Sequence, residues 1–207
     1  GSSDEKFASI AHQFALGGGD LIKDDHNLVD ADFESFRQRV AATQTGVNRA
    51  NEKTGRRCLY LPNICGGYDA VMKQADAASG LGCAGVLISP MLVGMDTARE
   101  VAARGDLVVM SHPTFSGSLY TDPTHGIEPG VYLGTLMRLL GADASVYPNS
   151  GGRFGFTSDQ CLDIAERLRG DHPKWKGALP APAGGMQLGS IEGMADQLGA
   201  DAIFLIG

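Results

Sequence analysis

The sequence predicts an α/β fold, a (β/α)8 TIM barrel that is incomplete, with its first strand and last helix missing from the chain. Three observations carry that expectation. Strand-like and helix-like segments alternate strictly, seven of each, along 207 residues. The strands are short and apolar without polar alternation, as strands are in a parallel sheet covered by helices. Strand follows strand at intervals of about 30 residues, close to the spacing of a barrel with eight units in about 250 residues. A doubly wound sheet is the alternative. Against it stand the lack of a GxGxxG at any strand-to-helix turn and more units than the usual five or six.

Each element follows from local pattern. A helix over 4–16 places Phe7, Ile10, Ala11 and Phe14 at helical spacing, with Ser3 or Asp4 as its cap, and three glycines at 17–19 end it. A short strand at 20–23 leads to a long helix over 31–53. A strand at 58–61 precedes a helix over 67–79, and a strand at 85–88 precedes a helix over 96–103. The strand at 107–110 is separated by a long polar loop from a helix over 130–140. After the strand at 144–147, a helix over 158–169 has Ser158 as cap and Asp159 in its first turn. A weak strand at 178–181, a helix over 190–198 and an uncharged apolar strand at 202–206 complete the alternation. Without an eighth strand, the edges at 20–23 and 202–206 would invite pairing with another chain.

Composition narrows the function classes. Hydrophobic residues are 43% and charged residues 20%, enough for a large core and unlike a disordered chain. A net charge of -7 and the lack of any basic cluster argue against nucleic acid as a partner. No apolar run nears the roughly 18 residues of a membrane span and no signal peptide is read, so a cytoplasmic location without membrane contact is expected. Cys58, Cys65, Cys83 and Cys161 show no CxxC or Cys/His metal spacing and read as reduced thiols.

In barrels the working residues sit at the C-terminal ends of strands. Lys23-Asp24-Asp25-His26-Asn27 ends the first strand, and alternation puts Lys23 and Asp25 on one side above Leu21. Such a pair can be an ion pair, a general acid and base, or half of a metal site; it can equally be a solvated Asp/Asn turn. His112 ends a strand before a long loop and is either a ligand or acid/base group or a core histidine bonded to backbone. Asn63 is polar at a strand end where an apolar residue would pack, which suits a substrate contact. Gly184 and Gly185 either permit a tight turn or offer backbone N–H groups to a phosphate. Gly151, Gly152 and Arg153 form either a flexible surface loop or an anion clamp. His125 reads as solvated, and Met91, Met95, Phe154 and Trp175 as fillers.

Residues 18–26, Gly-Gly-Asp-Leu-Ile-Lys-Asp-Asp-His, resemble the second-strand signature of the ribulose-bisphosphate carboxylase (RuBisCO) large-chain superfamily. Other pieces resemble it in the same linear order. Tyr60-Leu61-Pro62-Asn63 matches the third-strand end, His112 the fifth-strand histidine, Gly184–Gly185 the seventh-strand glycine pair, and Gly207 the first glycine after strand eight. Residues 147–155 are similar to the sixth-strand loop of the non-carboxylating, form IV RuBisCO-like proteins. The resemblance spans nearly the whole chain and implies that residues 1–207 are part of a C-terminal barrel domain. An N-terminal domain and the first barrel strand would lie outside this segment.

The resemblance implies that Lys23 reacts with CO2 to form a carbamate, and that Lys23, Asp25 and His26 hold Mg2+. His26 stands where the carboxylases have glutamate, and imidazole is a poorer ligand for this hard cation. Lys23, His112 and Asn63 would be catalytic, and Arg153, Gly184, Gly185 and Gly207 would bind the phosphate of a small-molecule substrate. Four departures argue against carboxylation. Arg153 stands near the place of a lysine, Pro113 replaces an arginine, Ser116 a second histidine, and Ala183 a serine. The implied function is a RuBisCO-like enzyme acting on a sugar phosphate or sugar-acid phosphate through a Mg-stabilised enediolate, decarboxylase- or transcarboxylase-like. Alternatives are an enolase or isomerase of a sulfur-salvage sugar phosphate, or an inactive fragment or assembly component. A homodimer or higher homo-oligomer is expected.

Overall fold

The computed structural model describes residues 3–122, 124–152 and 154–206. Arg153 and Gly207, two of the anion-binding candidates, therefore lie outside the described residues. The fold is α/β, with parallel pairing in its strand ladders. The chain forms two compact units, one ending at Val109 and one beginning at Met110.

In the first unit α1 (Ser3–Leu16) packs on α2 (Phe33–Thr54). Ser3 and Asp4, the expected caps, lie inside the first turn of α1 instead of before it. Gly46 of α2 sets the approach of the two helices. A Cβ there would stand 2.4 Å from the Ala8 carbonyl oxygen, while His12 Nδ1 lies 2.9 Å from the Gly46 carbonyl. Asp32 caps α2 by accepting the Ser35 N–H at 2.8 Å, which starts the helix two residues later than its apolar pattern suggests.

β1 (Leu21–Lys23) pairs in parallel with β2 (Leu59–Leu61), Lys23 opposite Leu61. Pro62 has no N–H and breaks the strand, which resumes as β3 (Asn63–Ile64) against β4 (Gly85–Ile88). The sequence pattern shows one strand here because it does not register that interruption. Helix α3 (Tyr68–Gly80) follows β3. A short α4 (Pro90–Val93), unforeseen from the pattern and opened by proline in its first turn, precedes α5 (Met95–Ala103). β5 (Val108–Ser111) begins in this unit, the Val108 N–H donating to Ala84. Val40, Val47, Leu61, Ile64, Leu87 and Ile88 are fully buried between strands and helices. Each such side chain contributes about 1.5–3 kcal/mol relative to exposure.

In the second unit Met110 and Ser111 pair with β6 (Ala144–Pro148), and β6 pairs with β7 (Leu179–Ala183). The helix expected over 130–140 begins as a wider π-helix (Gly130–Leu136) and tightens into α6 (Met137–Leu140). Ser145 donates its hydroxyl to the Leu133 carbonyl at 2.7 Å, engaging a backbone acceptor of the widened turn. The cap of α7 (Ser158–Arg169) is Thr157, not Ser158. Thr157 Oγ1 accepts from Gln160 N, and Gln160 Oε1 accepts from Thr157 N, a reciprocal capping box.

The strand expected at 202–206, after α8 (Ile191–Leu198), is not a ladder strand. The segment runs beside β7, with Ile203 N donating to Pro180 O at 2.9 Å and Leu205 N to Pro182 O at 3.4 Å. A parallel ladder also needs donors in return. The residues of β7 that would supply them, Pro180 and Pro182, have no N–H, so the pairing is one-sided.

Candidate functional site

The C-terminal end of β1 carries the first cluster. Lys23 is partly buried and its Nζ donates to the Asp24 carbonyl at 3.1 Å. Burial lowers its pKa, while Asp25 and Asp24 pull the other way. Asp25, two residues beyond the end of β1, is exposed. Its Oδ1 accepts the Asn27 N–H at 2.7 Å, an Asx turn that, with His26 and Lys23 nearby, holds its pKa below the usual carboxylate value despite some burial. His26 Nδ1 lies 3.9 Å from Asp25 Oδ1.

Behind this cluster lies a buried network that sequence reasoning missed. Asp24, with the opposite alternation, turns into the helix layer and accepts from Arg39 Nη1 at 2.7 Å, Tyr60 Oη at 2.9 Å and the Asn63 backbone N–H at 3.0 Å. Arg39 of α2 also grips Asp30, with Nε and Nη2 donating at 3.0 and 2.8 Å. The Arg39 side chain is 3% exposed. Burial pushes the Asp24 carboxyl up against the opposing pull of Arg39, Asn63 and Tyr60. Asn63 is buried at the start of β3, and its Nδ2 donates to the carbonyls of His26 and Leu28 at 3.3 and 3.1 Å. Its visible work is thus to hold the loop that carries His26. Arg39 sits among charged residues of a polar helix and looks solvated in the sequence. Its one signal is an i, i+3 relation to Phe36, which is also buried.

The second unit presents a site made largely by backbone. His112 follows β5, and its Nδ1 accepts the Thr114 backbone N–H at 3.2 Å, with Thr114 Oγ1 at 2.5 Å. Because an amide can only donate, the neutral ring keeps its proton on Nε2. Ser116, fully buried, bonds the Pro113 carbonyl through both N and Oγ and lies 3.1 Å from the Tyr120 hydroxyl. Between them Phe115 is exposed and held at φ 67°.

Gly184 and Gly185 follow β7 at φ 89° and 78°, a conformation that side chains with a Cβ rarely adopt. A Cβ on Gly152 would stand 2.5 Å from the Gly184 carbonyl oxygen, so the loop after β6 lies directly on the loop after β7. Asn149 N ties the two loops with a 2.8 Å bond to Ala183 O.

Among the described residues, no three His, Cys, Asp or Glu side chains are arranged to hold a metal. Asp25 and His26 offer one carboxylate and one imidazole. Lys23 offers nothing as an ammonium and becomes an oxygen donor only as a carbamate. With that change the set has two oxygen donors and one nitrogen, which fits a hard divalent cation with a weakened third position.

The family described as "Ribulose bisphosphate carboxylase large chain, catalytic domain" matches residues 1–152. The chain is 39% identical over its whole length to a 5-methylthioribulose-1-phosphate isomerase of Rhodospirillum rubrum, covering 54% of that protein. Over 91% of its length it is 32% identical to a 2,3-diketo-5-methylthiopentyl-1-phosphate enolase of Geobacillus kaustophilus, covering 46% of it. The crystal structure of a RuBisCO-like protein from Rhodopseudomonas palustris is similar over 98% of this chain and 56% of that one, with a TM-score of 0.91 and 40% identity. The chain spans about half the length of the curated relatives it matches. The α/β fold is that of these barrel-containing proteins, as the alternation of elements predicts.

Proposed function

This chain belongs to the family of the ribulose bisphosphate carboxylase large chain, and from that premise we propose that it is part of an isomerase or enolase of a methylthio-sugar phosphate. The observation that carries the reading is the end of β1, where a half-buried lysine stands beside an exposed carboxylate and an imidazole. The choice of substrate class is supported by the isomerase and enolase among the similar proteins. It favours the sulfur-salvage alternative over the decarboxylase-like reading.

Both reactions need a proton taken from a carbon beside a carbonyl, a way to stabilise the resulting enediolate, and an anchor for the phosphate. Lys23 suits the first requirement of a carbamate, since only the neutral amine adds CO2 and burial favours that form. Lys23, so modified, with Asp25 and His26 would hold Mg2+. When bound, that ion would withdraw charge from the enediolate oxygens. His112, with its neutral-form proton on Nε2, is assigned to proton transfer at the substrate. Asn63 keeps the His26 loop in place and is assigned a role in orienting the site. The amides of Gly184 and Gly185 would receive the phosphate, with Arg153 and Gly207 as further contacts. A homo-oligomer is part of this reading, supported by an octameric relative among the similar structures.

The test uses the full-length protein with Mg2+ and bicarbonate, followed by phosphorus NMR. Turnover of 5-methylthioribulose 1-phosphate or 2,3-diketo-5-methylthiopentyl 1-phosphate is expected, and Lys23→Arg should abolish it, because guanidinium does not form the carbamate. Turnover confined to 3-oxo sugar-acid phosphates, with release of CO2, would overturn the proposal in favour of a decarboxylase.

A further inference from the structure

We propose that Arg39 is a positioning residue that sets the geometry of Asp25 and His26 relative to Lys23 by stapling both ends of the loop that follows β1 and carries them. The proposal rests on the assignment of those three residues as the ligand set.

The loop 25–29 is bounded by two acidic residues, Asp24 and Asp30, and a single guanidinium holds both. Nη1 binds Asp24 Oδ2 at 2.7 Å, and Nε and Nη2 bind the Asp30 carboxylate at 3.0 and 2.8 Å. The fixed fork of arginine donors thereby sets the separation of the loop ends, which a flexible ammonium could not do. Tyr60 Oη donates to the free side of Asp24, and Asn63 ties the middle of the loop through the carbonyls of His26 and Leu28. Asp24 lies between Lys23 and Asp25, and its carbonyl takes the Lys23 ammonium at 3.1 Å. Any movement of Asp24 is therefore passed to both neighbours through the backbone they share.

Stability alone is a weak account of this arrangement. The Arg39, Asp24 and Asp30 side chains are 3%, 7% and 13% exposed, and desolvating such a triad offsets most of its Coulomb attraction. An apolar trio of similar volume would hold α2 to β1 at least as well. It would not hold the loop ends at one separation. Groups that hydrogen-bond metal ligands directly change metal affinity by about 10- to 100-fold when removed, and Arg39, which acts one bond further out through Asp24 and Asp30, is expected toward the low end of that range.

The experiment uses the full-length protein with bicarbonate, and Mn2+ as the probe, its free form counted by electron paramagnetic resonance. Arg39→Met should weaken Mn2+ binding by about tenfold or more and speed amide exchange across 25–30. Arg39→Lys, which keeps the charge without the fork, should recover only part of the affinity. Asp30→Asn, which loosens one end only, should give a smaller loss and covers the case in which Arg39→Met does not fold. Wild-type Mn2+ affinity in a folded Arg39→Met or Asp30→Asn protein would overturn the positioning role while leaving the ligand assignment intact. A wild type that binds no Mn2+ at any bicarbonate concentration would overturn the ligand assignment, and the proposal with it. Faster exchange in Arg39→Met with wild-type Mn2+ affinity would leave Arg39 a merely structural staple, which also overturns the proposal.

Discussion

The two units build their strand-end sites by different physics. At the end of β1 the candidate groups are side chains, and behind them a buried guanidinium is paired with two carboxylates. At the ends of β5 and β7 the shape is made by backbone. Gly184 and Gly185 adopt left-handed angles, Gly152 leaves room for a carbonyl, and Phe115 is held at φ 67° by the bonds Ser116 makes to Pro113. The difference teaches where each site is fragile. The first fails when a charge loses its partner in a dry interior, and the second fails when a Cβ appears where the backbone needs space.

The largest expected effect breaks the first site. Asp24→Leu leaves Arg39, Tyr60 Oη and the Asn63 N–H without their shared acceptor, and should cost about 3–5 kcal/mol in urea unfolding. A loss below about 1 kcal/mol would show that water or a new partner takes over.

The second site should break more gently. Gly152→Ala sets its Cβ against the Gly184 carbonyl and forces the two loops apart, at about 1–3 kcal/mol. It should also abolish the shifts that the proposed phosphate site predicts for the Gly184 and Gly185 amides in NMR. Unchanged shifts would separate loop packing from anion binding. Gly184→Ala meets no close neighbour, since its Cβ would lie 3.5 Å from the Phe154 ring, but it imposes φ 89° on an alanine. That strain alone should cost about 1–2 kcal/mol, so melting curves of the two variants compare crowding with backbone strain.

The smallest effect sharpens the comparison by setting an exposed ion cluster beside the buried one. Arg104 bonds Asp106 and Asp76 on the surface, and chiefly its hydrogen bond to Asp106, aided by Ser79, lowers the Asp106 pKa to about 2. A depressed carboxylate stabilises the fold fully above its unfolded value and loses that contribution as pH falls from about 4 to about 2. Asp106→Asn should flatten acid unfolding in that window and cost under about 1 kcal/mol, less in high salt. A larger loss that persists in salt would show that solvent screens this cluster less than its exposure implies.

Period and punctuation in the sequence determined much of this protein. The β4 and α7 ranges, the glycine stop after α1 and the position of Lys23 at the end of β1 and of His112 just after β5 all follow from local pattern, because burial on one face writes itself into residue spacing. What that pattern could not register was chemistry acting across distance. Pro62, which lacks an N–H, splits a strand whose two halves pair with different neighbours, and Pro180 and Pro182 deny a ladder to residues more than twenty positions away.

The tertiary structure alone decided the role of Arg39. On a helix rich in polar residues its charge is indistinguishable from that of Arg37, which lies exposed against Glu34. Only the fold brings Asp24, Asp30 and Tyr60 to one side of α2, where a charge without those partners would be too costly to bury. Asn63 shows the same division. The sequence places it just after a strand, whereas it opens β3, and its two bonds to the His26 loop depend on β1 and β3 carrying that loop within reach. Spacing reports which face of an element is buried. The identity of the group waiting on the other side is set by packing between segments that the chain keeps far apart.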